Sequence, residues 1–313
     1  MDRRSFLKFS AASLGAGALL QFTPAQAAIP FFTRRNGEAP SPFSFVQLSD
    51  THVGFSGPPD PLGTKAFERA VDTINALDPL PDLVLFTGDL THDSEDASEH
   101  AARMKRFKEI ASRLRVKKRF HVPGEHDSAL DGGTLFKEHF GESHYAFDHK
   151  GVHFVGLDNV SSGKPMVGKE QIAWLQRDVA RFSKTTPIVV FTHRPLFDLQ
   201  PEWEWFTTDG DDVMNVLAPF DNVTILYGHI HRAHHRTIGN AQHHAARSLI
   251  FAFPDPATAA EKKALPFDKE HPFKNLGIRE VSSSPIAIDD IELTAREISG
   301  TEGVQQLRKG GVL

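Results

Sequence analysis

Five short apolar runs of this chain each end in residues that can bind metal ions or move protons. In open α/β sheets, ligands bind just beyond the carboxyl ends of the strands. Five strand ends that carry Asp, Glu and His therefore predict one polar site at the rim of a sheet. The groups that follow the five runs are Asp50-Thr51-His52, Gly88-Asp89, Gly124-Glu125-His126-Asp127, His193-Arg194 and Gly228-His229-Ile230-His231.

The spacing within these groups indicates how the side chains could share a site. Carboxylates and imidazoles are costly to bury unless they are paired or coordinate a metal ion. Along an extended segment, Asp50 and His52 point to the same side. The same holds for His229 and His231, so we expect each pair to reach into one site. Three glycines would let the backbone approach these side chains closely, namely Gly88, Gly124 and Gly228.

The composition limits the chemistry that the site can perform. The 313 residues include 17 histidines and no cysteine, which excludes thiolate metal sites, disulfides and cysteine nucleophiles. Nitrogen and oxygen ligands suit Mn, Fe or Zn. Apolar residues make up 40% of the chain and the formal net charge is −5, which excludes a disordered chain and argues against nucleic acid as a partner.

The elements that must position these residues alternate between strand and helix. Apolar runs at 43–48, 83–86, 120–122, 188–191 and 223–227 predict buried strands, and apolar residues at helical spacing lie between them. A hairpin is expected at 145–157, and further strands at 248–253, 278–281 and 286–293. The pattern predicts an α/β domain over residues 43–298, with a linker at 28–42 and a polar tail at 299–313.

The first 27 residues have the layout of an export signal. Arg3 and Arg4 precede a mildly apolar, glycine-containing stretch, and Ala25-Gln26-Ala27 is a small-x-small cleavage pattern. The arginine pair resembles the twin-arginine signal, which implies the twin-arginine export machinery as a partner and a periplasmic or otherwise exported location. Asp2 departs from that signal, and an ordinary secretory signal is the alternative. No stable membrane span is expected in the mature chain.

The order Asp-x-His, Gly-Asp, Gly-Glu-His-Asp, His and Gly-His-x-His resembles the signature of calcineurin-like metallophosphoesterases. The resemblance implies a four-layer α/β/β/α sandwich with two metal ions at the strand ends. It implies that Asp50, His52 and His231 hold the first metal ion, that Asp89 bridges both, and that Glu125, His193 and His229 hold the second. It also implies that His126 donates a proton to the leaving group and that Asp127 orients His126.

Glu125 departs from this pattern, because the family uses Asn there. An ionised Glu125 lowers the formal charge of a site with two divalent ions and a hydroxide from plus one to zero. This favours a pair such as Fe(III) with Fe(II), Mn(II) or Zn(II). In two alternatives, Glu125 swings out and the second site is weak, or turnover is poor. Arg194 could bind a phosphate oxygen, or it could form an ordinary ion pair.

The sequence thus predicts an exported phosphoesterase that hydrolyses a small phosphomono- or phosphodiester with a metal-bound hydroxide. The alternative is an envelope metal-binding or interaction protein on the same fold, with chemistry weakened by Glu125. Trp203 and Trp205 lie near the predicted site and could stack on a substrate or pack onto the body of the domain.

Overall fold

The computed structural model describes residues 42–128, 130–283 and 286–292. The predicted signal at 1–27, almost all of the linker, residues 293–298 and the tail at 299–313 lie outside these residues. The strands are β1 Ser44–Leu48, β2 Leu83–Thr87, β3 Lys118–Val122, β4 Tyr145–His149, β5 Val152–Gly156, β6 Ile188–Phe191, β7 Val223–Tyr227, β8 His234–Ile238, β9 Ala241–Ala245, β10 Gly277–Ser283 and β11 Ile286–Glu292. The helices are α1 Lys65–Asn75, α2 Ala97–Ser112, α3 Glu125–Ser128, α4 Thr134–Phe140, α5 Lys169–Val179 and α6 Gly210–Leu217, with a 3-10 turn at Pro201–Trp203.

The strands form two sheets. The first sheet has the order β11-β10-β1-β2-β3, in which β1, β2 and β3 are parallel and β10 is antiparallel to β1. The second sheet has the order β4-β5-β6-β7-β9-β8, with β5, β6, β7 and β9 parallel. Because parallel strands end at the same edge, the residues after β1, β2 and β3 meet at one rim, and those after β6 and β7 meet at another.

Three apolar clusters hold the layers together. Phe45 and Phe154 belong to the cluster between the sheets, and their rings meet edge to face at 5.6 Å. Outside the first sheet, Phe67 of α1 stacks on Phe107 of α2 at 5.1 Å. A third cluster includes Leu175 of α5 and packs α5 and α6 against the outer face of the second sheet. Helices therefore cover both sheets, which confirms the predicted four-layer α/β/β/α sandwich.

One predicted strand is wrong, since residues 248–253 are irregular. The backbone there serves neighbouring groups instead of a sheet: the Phe251 carbonyl accepts hydrogen bonds from Ser248 Oγ and from the His231 ring. The short helices α3 and α4 were not predicted, and they interrupt the chain after β3.

Within the described part of the chain, none of the helices has both the length and the apolar character that crossing a membrane requires.

Candidate metal centre

The seven predicted metal ligands converge at the facing rims of the two sheets. Asp50 and Asp89 follow β1 and β2, Glu125 begins α3 after β3, and the histidines follow β1, β6 and β7. Their donor atoms fall into two groups, each with all atoms within 4.8 Å of one another, and both groups include Asp89. The first group is Asp50, His52, Asp89 and His231, and the second is Asp89, Glu125, His193 and His229.

Hydrogen bonds decide which histidine nitrogens face the second group. His193 Nδ1 donates to the Thr87 carbonyl at 2.7 Å, so its Nε2 presents a lone pair. This Nε2 lies 2.8 Å from Glu125 Oε2, yet neither buried atom has a hydrogen-bond partner. His229 Nε2 donates to the Glu204 carbonyl at 3.1 Å, and its Nδ1 lies 2.8 Å from Glu125 Oε1. A lone pair that faces a carboxylate oxygen is repelled unless a proton or a metal ion lies between the two atoms.

The first group follows the same rule. His231 Nδ1 donates to the Phe251 carbonyl at 2.9 Å, which leaves Nε2 as an acceptor. That Nε2 lies 3.4 Å from Asp50 Oδ1 and 3.2 Å from His52 Nε2. Backbone carbonyls that fix the tautomer of metal-binding histidines are typical of metal sites. The donor set of oxygen and imidazole nitrogen therefore fits a pair of ions such as Mn, Fe or Zn.

The charges of the buried groups support the same interpretation. Burial and the Glu125 carboxylate raise the pKa of Asp89, but neighbouring histidines, chiefly His193, lower it to about 2. Burial lowers the pKa of His193, but Asp89 and Glu125 outweigh this effect and raise the pKa well above its usual value. The carboxylates thus create a negative potential at the shared centre, which attracts cations.

The backbone at the ligands is unusual. Five ligands have left-handed φ angles, which are uncommon for residues other than glycine. The sequence-based expectation of extended Asp-x-His and His-x-His segments is therefore wrong, although each pair still reaches its site. Strained backbone that the surrounding structure maintains is frequent at functional sites. The five angles are Asp50 54°, His52 40°, Asp89 48°, His229 65° and His231 53°.

All three predicted close approaches are confirmed, and a Cβ at Gly88 would overlap the His193 ring. A Cβ at Gly124 would overlap the side chain and the backbone nitrogen of Asp89. A Cβ at Gly228 would overlap Ser49 Oγ and approach Asp50 Oδ2 to 2.7 Å. The loops after β1, β2, β3 and β7 thus pack so closely that only glycine fits at these positions.

The guanidinium of Arg194 contacts other protein groups and is not free in the way that a phosphate-binding arginine would be. Its Nη1 donates to the Glu204 carbonyl at 2.8 Å, and its Nη2 lies 3.4 Å from Glu125 Oε1. The side chain is buried. Arg194 therefore forms an ion pair, and its partner is Glu125, the carboxylate that stands where the family uses Asn. Glu125 points into the second donor group and does not swing out.

The predicted role of Asp127 is wrong. Its carboxylate accepts hydrogen bonds from the backbone nitrogens of Gly124, Leu90 and Thr91 at 2.8–3.0 Å, so it joins the loops after β2 and β3. Asp127 is the residue directly after His126, yet its carboxylate is turned toward those loops. The His126 ring is oriented through Nδ1 by Asp93, which our sequence interpretation missed.

His92 is a second residue beside the centre that the sequence patterns did not assign to it. Its Nδ1 lies 3.4 Å from His52 Nδ1, and its ring stacks on His126 at 4.7 Å. The signal was present in the sequence, because His92 and Asp93 lie only three and four residues after Asp89. They could not be assigned without the fold, since polar residues after a strand are usually solvated.

The two tryptophans of the 201–206 loop pack onto the domain. Trp205 is fully buried and Trp203 nearly so, and their rings meet edge to face at 4.9 Å. They belong to an apolar cluster with Phe197 and Tyr227. Their role is to hold the loop whose Glu204 carbonyl binds His229 and Arg194.

Comparison with known proteins agrees with this centre. Residues 43–233 match the family model of the calcineurin-like phosphoesterases, and the chain belongs to this family. It is therefore a phosphoric ester hydrolase by family. Metal binding by this family agrees with the two donor groups that share Asp89.

Similar proteins have related activities in their names. The chain is 31% identical over 202 residues to a probable glycerophosphodiester phosphodiesterase of Arcobacter nitrofigilis, which covers 60% of this chain and 71% of that protein. It is 26% identical over 232 residues to the serine/threonine-protein phosphatase CPPED1 of Mus musculus, with 64% and 73% covered. A dimetal phosphatase structure from Danio rerio has a TM-score of 0.58 at 14% identity and covers 82% of this chain and 97% of that chain. This likeness shows the shared fold.

Proposed function

We propose that this protein is an exported phosphoesterase that hydrolyses a phosphomono- or phosphodiester at a two-metal centre. The observation that carries the proposal is the pair of buried donor groups that share Asp89. Two metal ions held by these residues would polarise the phosphoryl oxygens and would supply a hydroxide near neutral pH, so the protein would need no nucleophile of its own.

The protein supplies the leaving-group proton. His126 Nδ1 is bonded to Asp93, so Nε2 is the nitrogen that faces a substrate. The His126 ring is 30% exposed, whereas six of the seven ligands are almost fully buried and Glu125 is 23% exposed, which places His126 at the mouth of the centre. In our proposal His126 protonates the departing oxygen and Asp93 holds the imidazolium in place.

Arg194 changes the net charge of a centre that contains Glu125, and this charge affects phosphate binding. The guanidinium beside Glu125 returns the positive charge that the glutamate removes. A site with two divalent ions therefore keeps its attraction for phosphate. This weakens both the argument for a trivalent ion and the alternative of a binding protein without turnover. Iron with Mn, Fe or Zn stays a proposal for metal analysis to decide.

The proposed substrate class is based on the names of similar proteins. Of the two ester types, the similarity to a probable glycerophosphodiester phosphodiesterase supports a diester. The similarity to a protein phosphatase keeps monoesters in the proposal. The aryl pair p-nitrophenyl phosphate and bis(p-nitrophenyl) phosphate separates these two types.

The decisive experiment combines metal content with turnover. We expect protein purified without chelator to hold two metal ions per chain and to hydrolyse at least one of the two aryl esters. Asp89→Ala should lose both properties, whereas Asp212→Ala, an exposed carboxylate on α6, should keep both. Two bound ions with no turnover of either ester in the unaltered protein would contradict the proposal and favour the metal-binding alternative.

Export is tested separately. We expect the full chain, expressed in a bacterium with the twin-arginine machinery, to reach the periplasm. The double substitution Arg3→Lys and Arg4→Lys should retain it in the cytoplasm, because that signal is read through its arginine pair. Undiminished export of the double variant would favour an ordinary secretory signal.

A further inference from the structure

The segment between β9 and β10 carries a lysine to the metal centre. It is anchored at the ligands, since Leu249 N donates to the Asp50 carbonyl at 3.1 Å and the Phe251 carbonyl binds His231. Leu265 N donates to the Ala252 carbonyl at 2.8 Å and closes a loop over residues 252–265. Lys262 lies in this loop, whose base is anchored beside the metal donors.

The Lys262 amino group lies over an aromatic ring next to a ligand. Nζ is 5.4 Å from the centroid of the Phe253 ring, and that ring is 4.9 Å from the ring of His231. The residue as a whole is exposed, but burial of the amino group lowers its pKa. The charged groups near enough to influence the pKa of Lys262 are Glu125, Arg194, Glu204 and Asp89. The ammonium therefore faces the centre.

This ammonium lacks a carboxylate of its own. Within the described residues, no Asp or Glu oxygen lies within 4 Å of Nζ, and Phe253 is the contact that holds it. Asp89 and Glu125 are committed to the metal donor groups and Arg194 pairs with Glu125. A lysine in this position is available to an anion that enters the centre.

We propose that Lys262 binds a phosphate oxygen of the substrate and favours dianionic phosphate, meaning phosphomonoesters and the inorganic phosphate product, over singly charged diesters. The inference rests on the proposed function, because it assumes that phosphate enters the two-metal centre. The second negative charge of a monoester interacts with the ammonium, whereas a diester lacks this charge.

The test compares Lys262→Gln with Lys263→Gln, a neighbouring exposed lysine without a contact to the centre. In metal-bound protein, we expect Lys262→Gln to raise the Kd of inorganic phosphate and the KM of p-nitrophenyl phosphate about tenfold, and the KM of bis(p-nitrophenyl) phosphate at most about threefold. Values of kcat should change little. Lys262→Arg should restore phosphate binding, and Lys263→Gln should match the unaltered protein.

Two results would overturn the inference. One is equal KM changes for both esters in Lys262→Gln, and the other is equal phosphate affinity in Lys262→Gln and Lys263→Gln. Phosphate binding is measured by calorimetry and needs no turnover, so an inactive protein contradicts the proposed function and still tests Lys262. Absence of phosphate binding in the unaltered protein would contradict both.

Discussion

The pairing of Glu125 with Arg194 makes a quantitative prediction about the second metal ion. Two unit charges 3.4 Å apart interact by about 5 kcal/mol at an effective dielectric constant of about 20. Glu125 also contacts His193 and His229, so we expect about 3 kcal/mol for the pair itself, or about 100-fold in a binding constant. Glu125→Gln keeps the shape and one carbonyl oxygen but leaves the buried guanidinium beside the metal donors without its anion.

We expect Glu125→Gln to lose the second ion, because the uncompensated Arg194 repels cations. Removing Arg194 as well should recover most of the lost affinity, so the double variant should bind the second ion about 100-fold more tightly than Glu125→Gln. Arg194→Gln alone should keep both ions but bind inorganic phosphate more weakly. The assay is competition against a metal-binding dye, with element-resolved metal analysis to assign the stoichiometry.

The control separates charge from shape. Arg194→Lys cannot reproduce both contacts of the guanidinium, but it keeps the positive charge. Because we attribute the effect on phosphate to this charge, Arg194→Lys should resemble the unaltered protein in phosphate affinity. Unfolding of the metal-free forms shows whether any variant is simply misfolded. A coupling energy between Glu125 and Arg194 below about 0.5 kcal/mol would contradict their pairing, because the effects of independent sites add within this range.

Three further predictions concern other parts of the domain. His126→Ala should lower kcat about 100-fold for an alkyl ester but much less for an aryl ester with a good leaving group, with Asp93→Asn in between; equal losses for both esters would argue against proton donation. Burial lowers the pKa of His121 from its ordinary value of 6.5 to about 3. Below pH 6.5 the unfolded chain therefore binds a proton at His121 that the folded chain does not bind, so the free energy of unfolding falls as the pH drops. His121→Phe should therefore be less destabilised than the unaltered protein between pH 7.5 and 5.5, by about 1 kcal/mol in urea unfolding, and an unchanged difference would contradict this assignment. Gly124→Ala should lose both metal ions because its methyl group overlaps the shared carboxylate, whereas Gly239→Ala, which has open space around it, should keep them at a cost of about 1 kcal/mol in stability; metal analysis of both variants decides.

Local patterns identified most of the fold because they report burial directly. The β7 strand was predicted at its observed bounds, since five consecutive apolar or β-branched residues fit a strand that is buried on both faces. The prediction failed at residues 248–253, where an equally apolar run is irregular. There the Phe251 carbonyl accepts hydrogen bonds from Ser248 Oγ and from the His231 ring, and His231 lies outside the run, where only the tertiary structure places it.

The sequence by itself determined the chemistry of the centre: carboxylates and imidazoles at five strand ends, no thiolates, and glycines where the loops cross. The tertiary structure alone decided how these groups are arranged. It made Asp93 rather than Asp127 the partner of His126, joined Arg194 to Glu125, and brought Lys262 to the mouth. The physical reason is that residue type fixes which bonds a side chain can form, whereas the partner depends on which carbonyl or carboxylate another strand places within about 3 Å.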